Sequence, residues 1–122
     1  MNASQQLADR YAALWNEADV DRRRRTIAEL WSPAGVHFVK AREARGHEAL
    51  HERVTGAYEK NVRERGFRFR ACQDAQRLRD VVTFHWEMIR PNSGEVAALG
   101  LEFMQLDDNS LIAADHQFIV VG

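Results

Sequence analysis

The chain has 122 residues, 45% hydrophobic and 29% charged, which is the size and makeup of one ordinary domain, residues 1–122, with a real core. Lys and Arg total 17 against 18 Asp and Glu, a formal net charge of −1, which argues against nucleic acid or an anionic membrane as the main partner. A lone cysteine, Cys72, excludes an internal disulfide, and no apolar run suits a secretory segment or a bilayer span, so a soluble cytoplasmic protein is expected.

The spacing of Leu7, Tyr11, Leu14 and Trp15 predicts a first helix from about Ser4, as its N-cap, to Asn16. A second helix runs from Asp19 or Asp21 to Leu30, and Ser32-Pro33 stops it. Its basic run, Arg22 to Arg25, lies between acids and reads as a solvated face with local ion pairs. Val36 to Val39 is a short strand, followed by a charged loop of Lys40, Arg42, Glu43 and Arg45 at the rim of a pocket mouth.

Gly46 opens a third helix that extends to about Arg65 and is closed by Gly66, with Leu50, Val54, Ala57 and Tyr58 as its buried stripe. His47 and His51 are four apart on it but lack a third ligand, so they read as a surface pair and no metal is expected. Four strands follow: Phe67 to Leu78, Val81 to Arg90, Val96 to Leu106 and Leu111 to Val121. Phe84, Trp86 and Met88 share one strand face, and His37 and His85 fall on faces opposite Phe38 and Trp86, toward solvent or a partner. Helices first and strands after predict an α+β fold, with helices packed on one face of a mainly antiparallel sheet.

The last hairpin carries the chemistry. With Asp108-Asn109-Ser110 as a three-residue loop, Leu106 faces Ile112, Met104 faces Ala114, Glu102 faces His116 and Gly100 faces Phe118. An acid and a histidine then sit together on an apolar face, where desolvation makes unpartnered charge costly. A two-residue loop would instead pair Glu102 with Asp115 and turn His116 to the other face; the first register collects the apolar residues better.

The segments RYAALWNEAD, ELWSPAGVHF, ARGHEAL, TFHWEM and GLEFMQLDDNSLI, in this order and spacing, resemble the nuclear transport factor 2-like superfamily, and in particular its SnoaL-like polyketide cyclase and ketosteroid isomerase branch. The resemblance covers nearly the whole chain. It implies a cone: a curved antiparallel sheet wrapped around three N-terminal helices, enclosing a pocket, with dimerisation through the outer sheet face. It implies catalytic roles for Tyr11 as hydrogen-bond donor to a substrate oxygen and for Glu102 as a neutral carboxylic acid beside it. At the family's general-base position, counting from Ser32-Pro33, stands Phe38, or Val39 with a one-residue slip, and neither accepts a proton. His116 is the substitute acid or base, from the opposite wall.

Trp15, Phe38, Tyr58, Phe84, Trp86, Met88, Met104 and Phe118 are expected to line a pocket for a small apolar or aromatic ligand. No Gly-rich phosphate loop appears, and SnoaL-like chemistry implies no cofactor. The resulting expectation is a cofactor-free isomerase, cyclase or dehydratase acting on a hydrophobic carbonyl compound. The alternatives are a non-catalytic binding module and a dimerising interaction domain.

Overall fold

A computed structural model describes residues 2–122. Its helices are α1 (Ala3–Leu14), α2 (Val20–Leu30) and α3 (His47–Ala57). Its strands are β1 (Trp31–Val39), β2 (Arg42–Arg45), β3 (Arg68–Ala71), β4 (Gln76–Leu78), β5 (Val81–Ile89), β6 (Val96–Leu106) and β7 (Ile112–Val121).

Local chemistry sets the helix ends. Asn2 rather than Ser4 caps α1, its side-chain oxygen accepting from the Ser4 and Gln5 amides. Asp19 caps α2 through the Arg22 amide. The basic run is not a uniformly solvated face: Arg23 is buried, donates to the Glu17 and Ala18 carbonyls and to Thr55, and lies over the Tyr58 ring. α3 is shorter than its apolar stripe suggests. Past Ala57 it widens into a π-helical turn, Tyr58–Arg63, and the chain reverses at Gly66 with φ of 71°.

The strands form one curved seven-stranded sheet in the order β2-β1-β7-β6-β5-β3, with β4 also paired to β5. The sheet is mixed rather than purely antiparallel, because β1 runs parallel to β7. The expected charged loop after Val39 is largely strand: Arg42 to Arg45 fold back on β1 as a hairpin. The expected single strand from Phe67 to Leu78 is divided into β3 and β4. In the gap, the Gln5 side chain donates to the Cys72 carbonyl and accepts from the Ala75 amide, so α1 satisfies backbone groups that the sheet releases. The core lies between the helices and the concave sheet face, around Trp31, Tyr11, Phe84, Met104 and Ile112.

The register of the last hairpin decides what enters that core. Leu106 pairs with Ile112, as the three-residue loop predicts, but Gln105 then pairs with Ala114, leaving Ala113 as a bulge. From there to Ile119 the β7 residues are displaced by one position, and a second shift follows between Gly100 and Leu99. Met104 faces Asp115, Phe103 faces His116, Glu102 faces Gln117 and Gly100 faces Ile119. The bulge turns Asp115 inward and His116 outward.

Candidate active site

Four elements bring polar groups to one point beneath the apolar core. Tyr11 arrives from α1, His37 from β1, Glu102 from β6 and Asp115 from β7. All four are buried, and Glu102 and Asp115 are both 0% exposed. The Tyr11 hydroxyl donates to Asp115 Oδ2 at 2.6 Å, and His37 Nδ1 lies 2.7 Å from the same oxygen. Trp86 Nε1–H donates to Glu102 Oε1 at 2.9 Å. The parallel pairing of β1 with β7 sets His37 directly beside Asp115.

The two carboxyls differ in protonation. Burial pushes the Glu102 carboxyl well above the usual carboxylate range, and the neighbouring Asp115 charge pushes it further. Burial also acts upward on Asp115, but hydrogen bonding from Glu102, the adjacent His37 and the Tyr11 hydroxyl hold it below its ordinary value. Glu102 therefore keeps its proton, and Asp115 is the anion. As an anionic acceptor, Asp115 orients the His37 ring, with Nδ1 carrying hydrogen toward it and Nε2 turned away from it. That Nε2 is buried without a hydrogen-bond partner. Desolvation, followed by the neighbouring Asp115 charge, also raises the Tyr11 hydroxyl well above its usual value, so it remains a donor.

His37, Glu102 and Asp115 present potential metal-ligand atoms within 4.8 Å of one another. Binding of a cation there would release the Glu102 proton.

The chain resembles several solved structures in shape. One is a SnoaL-like family protein from Agrobacterium tumefaciens named as a candidate isomerase, with TM-score 0.87, 24% identity and 98% of each chain covered. A candidate polyketide cyclase from Sinorhizobium meliloti has TM-score 0.67 and 12% identity, with 92% of this chain and 93% of that chain covered. A nuclear transport factor 2-like protein of unknown function from Exiguobacterium has TM-score 0.71 and 17% identity, over 93% and 97%. The fold is nuclear transport factor 2-like. The sequence matches no protein-family model, and no curated protein matches it.

In this nuclear transport factor 2-like cone, a cavity of about 170 Å³ opens beside the buried cluster. Tyr11, Trp15, Phe69 and Trp86 form its apolar wall, and Arg53, Asn61 and Gln117 contribute polar groups. Tyr11 is the member of the cluster's hydrogen-bonding core that reaches it directly; Trp86 connects it to Glu102.

The structure brings together two of the three expected catalytic residues, Tyr11 and Glu102. His116 does not join them. It stands on the outer sheet face, stacked on Phe38 at 5.0 Å between ring centroids. Of the expected pocket-lining residues, Trp15 and Trp86 border the cavity. Phe84 and Met104 are fully buried core, Met88 packs at its edge, and Tyr58 lies under Arg23. Phe38 and Phe118 are on the outer face, Phe38 by the strand alternation that turns His37 inward and Phe118 by the Ala113 bulge. His37, expected outside, is 1% exposed. Arg53 has no place in the sequence-based expectation. Asp115 enters it only through the two-residue-loop alternative, which sets it beside Glu102 and turns His116 outward, and a bulge test of the hairpin register could have favoured that outcome.

Proposed function

We propose that the protein is a SnoaL-like, cofactor-independent acid/base catalyst acting on a small hydrophobic carbonyl compound. The observation that carries this reading is the His37–Asp115–Tyr11 arrangement, a base oriented by a carboxylate next to an oxyanion donor. Tyr11 borders the cavity and would turn its hydroxyl from Asp115 to the ligand's oxygen, leaving Asp115 with His37 and Glu102. His37 Nε2 would take a proton from the carbon beside the carbonyl, generating an enolate whose charge rests on the oxygen held by Tyr11. Return of that proton to another carbon is isomerisation; attack of the enolate carbon on a second carbonyl, whose π electrons pass to its oxygen and take the proton back from His37, is cyclisation. Arg53 borders both the cavity and the groove beside His37, so its side chain would control access to the base.

A binding role without turnover is the second reading, favoured by the near-complete burial of His37, Glu102 and Asp115. Deuterium exchange separates the two. Cyclic enones and ketones incubated in heavy water are expected to exchange their α-hydrogens with wild type and not with His37→Gln. Ligands that bind wild type and Tyr11→Phe differently, with no exchange in either, would favour the binding role.

We further propose that two copies pair through the outer sheet face. The exposed Phe103, Phe118 and Val120 support this, since apolar surface of this kind is uncommon without a partner.

A further inference from the structure

Arg53 has no ion-pair partner among the described residues, although it lines the cavity. Its stem holds the guanidinium over the Trp15 ring, with the central carbon 5.1 Å from the ring centroid. Its Nε–H is buried and has no acceptor. A half-buried guanidinium with an unused buried donor is costly to maintain, and an anionic acceptor would satisfy it. Asp115 does not fill that role: its Oδ2 receives Tyr11 and His37, and no ion pair joins it to Arg53 among the described residues.

The surroundings repeat the pattern. Arg53, Gln117 and Ile119 are shared between the main cavity and an adjoining mouth that also holds Lys40, Arg42 and the terminal residue Gly122, with no Asp or Glu side chain in its lining. Neither Lys40 nor Arg42 forms an ion pair among the described residues. The Gln117 and Asn61 side chains have no intramolecular hydrogen bond among the described residues, yet both border the cavity. On a chain of net charge −1, this local excess of cations belongs to the site rather than to composition. The cavity, at about 170 Å³, admits a group about the size of one six-membered ring.

We propose that the cavity takes a ring-sized organic carboxylate, its anionic end paired with the Arg53 guanidinium and the Gln117 amide and its ring against Trp15 and Trp86. A planar bidentate pairing of guanidinium with carboxylate also fixes the ring's orientation, which directs a para oxygen away from Arg53. This deepens the proposed function, because it names the class of ligand that the same cavity holds.

The test is calorimetric titration of wild type, Arg53→Met, Gln117→Leu and Tyr11→Phe with benzoate and 4-hydroxybenzoate, and with the neutral isosteres benzamide and 4-hydroxybenzamide. Arg53→Met keeps an apolar stem on Trp15, and thermal melts report whether each variant folds. Wild type is expected to favour the carboxylates roughly tenfold or more, with the preference weakened by salt and abolished in Arg53→Met. Gln117→Leu is expected to weaken carboxylate binding severalfold while remaining folded, which keeps the proposal testable if Arg53→Met is unstable. Equal binding of acids and amides, or a preference that survives both variants, overturns the anion assignment. Absence of binding by all four compounds overturns it as well. If neutral compounds bind in a Tyr11-dependent way, the function proposed above stands while this inference falls. If carboxylates bind through Arg53 but His37→Gln leaves deuterium exchange unchanged, this inference stands and the catalytic role of His37 falls.

Discussion

At the scale of the residue, the molecule turns on how one buried aspartate is satisfied. Asp115 is completely inside, and its Oδ2 accepts from both Tyr11 and His37. Removing the hydroxyl in Tyr11→Phe leaves that carboxylate short of a donor in low dielectric, so a loss of roughly 1–3 kcal/mol is expected in denaturant titrations. Glu102 has the opposite linkage. Its folded pKa is raised above the ordinary 4.5, so its contribution to stability is complete below that value and is lost as pH rises through the folded value. Asp115, whose folded pKa is lowered, contributes stability above its ordinary 3.8, which is lost as pH falls through the folded value. The two titrate as a pair. Wild type is therefore expected to lose stability as pH increases from about 5 toward alkaline, whereas Glu102→Gln, which mimics the neutral acid, flattens that slope. Thermal melts across the range measure it, and an unchanged slope in Glu102→Gln would contradict the assignment of the proton to Glu102.

At the scale of the element, a single extra residue in β7 selects the chemistry of the interior. The Ala113 bulge places Asp115 and Gln117 on the concave side and His116 and Phe118 on the convex side. Deleting Ala113 would restore regular alternation and exchange those pairs, stranding His37 without its carboxylate and exposing Asp115. A cost of about 3 kcal/mol or more is expected, because a buried hydrogen-bonded network around a carboxylate is broken, with loss of ligand binding. β6 contains a second constraint. A Cβ at Gly100 would sit 2.1 Å from the Trp86 ring, which is too close to be absorbed by a small shift. Gly100→Ala is expected to push the indole off Glu102 and to cost about 1–3 kcal/mol, with a change in tryptophan fluorescence. An unchanged spectrum and stability would mean that the ring has room the packing does not show.

At the scale of the whole molecule, the sheet separates two surfaces with different tasks. The concave face, closed by three helices, encloses the cluster and the cavity. The convex face exposes Phe103 at 39% and Phe118 at 54%, next to the Phe38–His116 stack. If that face joins two copies, Phe118→Asp is expected to shift sedimentation from dimer to monomer while leaving ligand affinity within about twofold, because the substitution lies on the far side of the sheet from the cavity. A wild type that sediments as a monomer at all accessible concentrations would dispose of the interface.

The sequence by itself determined the class of fold. Helical periodicity in the first half and strand alternation in the second are local properties, and the family resemblance carried by RYAALWN and LEFMQL implied that Tyr11 and Glu102 lie close together, as they do. The burial of Glu102 was legible because the apolar residues alternating with it along β6 commit its face of the strand to the core, where a glutamate stays only with a partner. Which histidine joins them was decided only in three dimensions. Alternation along a strand is readable, but its phase inverts at a bulge, and Ala113 has no side chain that announces one. The parallel pairing of β1 with β7, which sets His37 beside Asp115, joins residues 78 apart in the chain and leaves no local trace. The same holds for Arg53, whose helical position looks solvated until Trp15 and the sheet close around it. Backbone preference is encoded residue by residue, whereas desolvation is a property of what the folded chain places nearby, and the candidate site is made by desolvation.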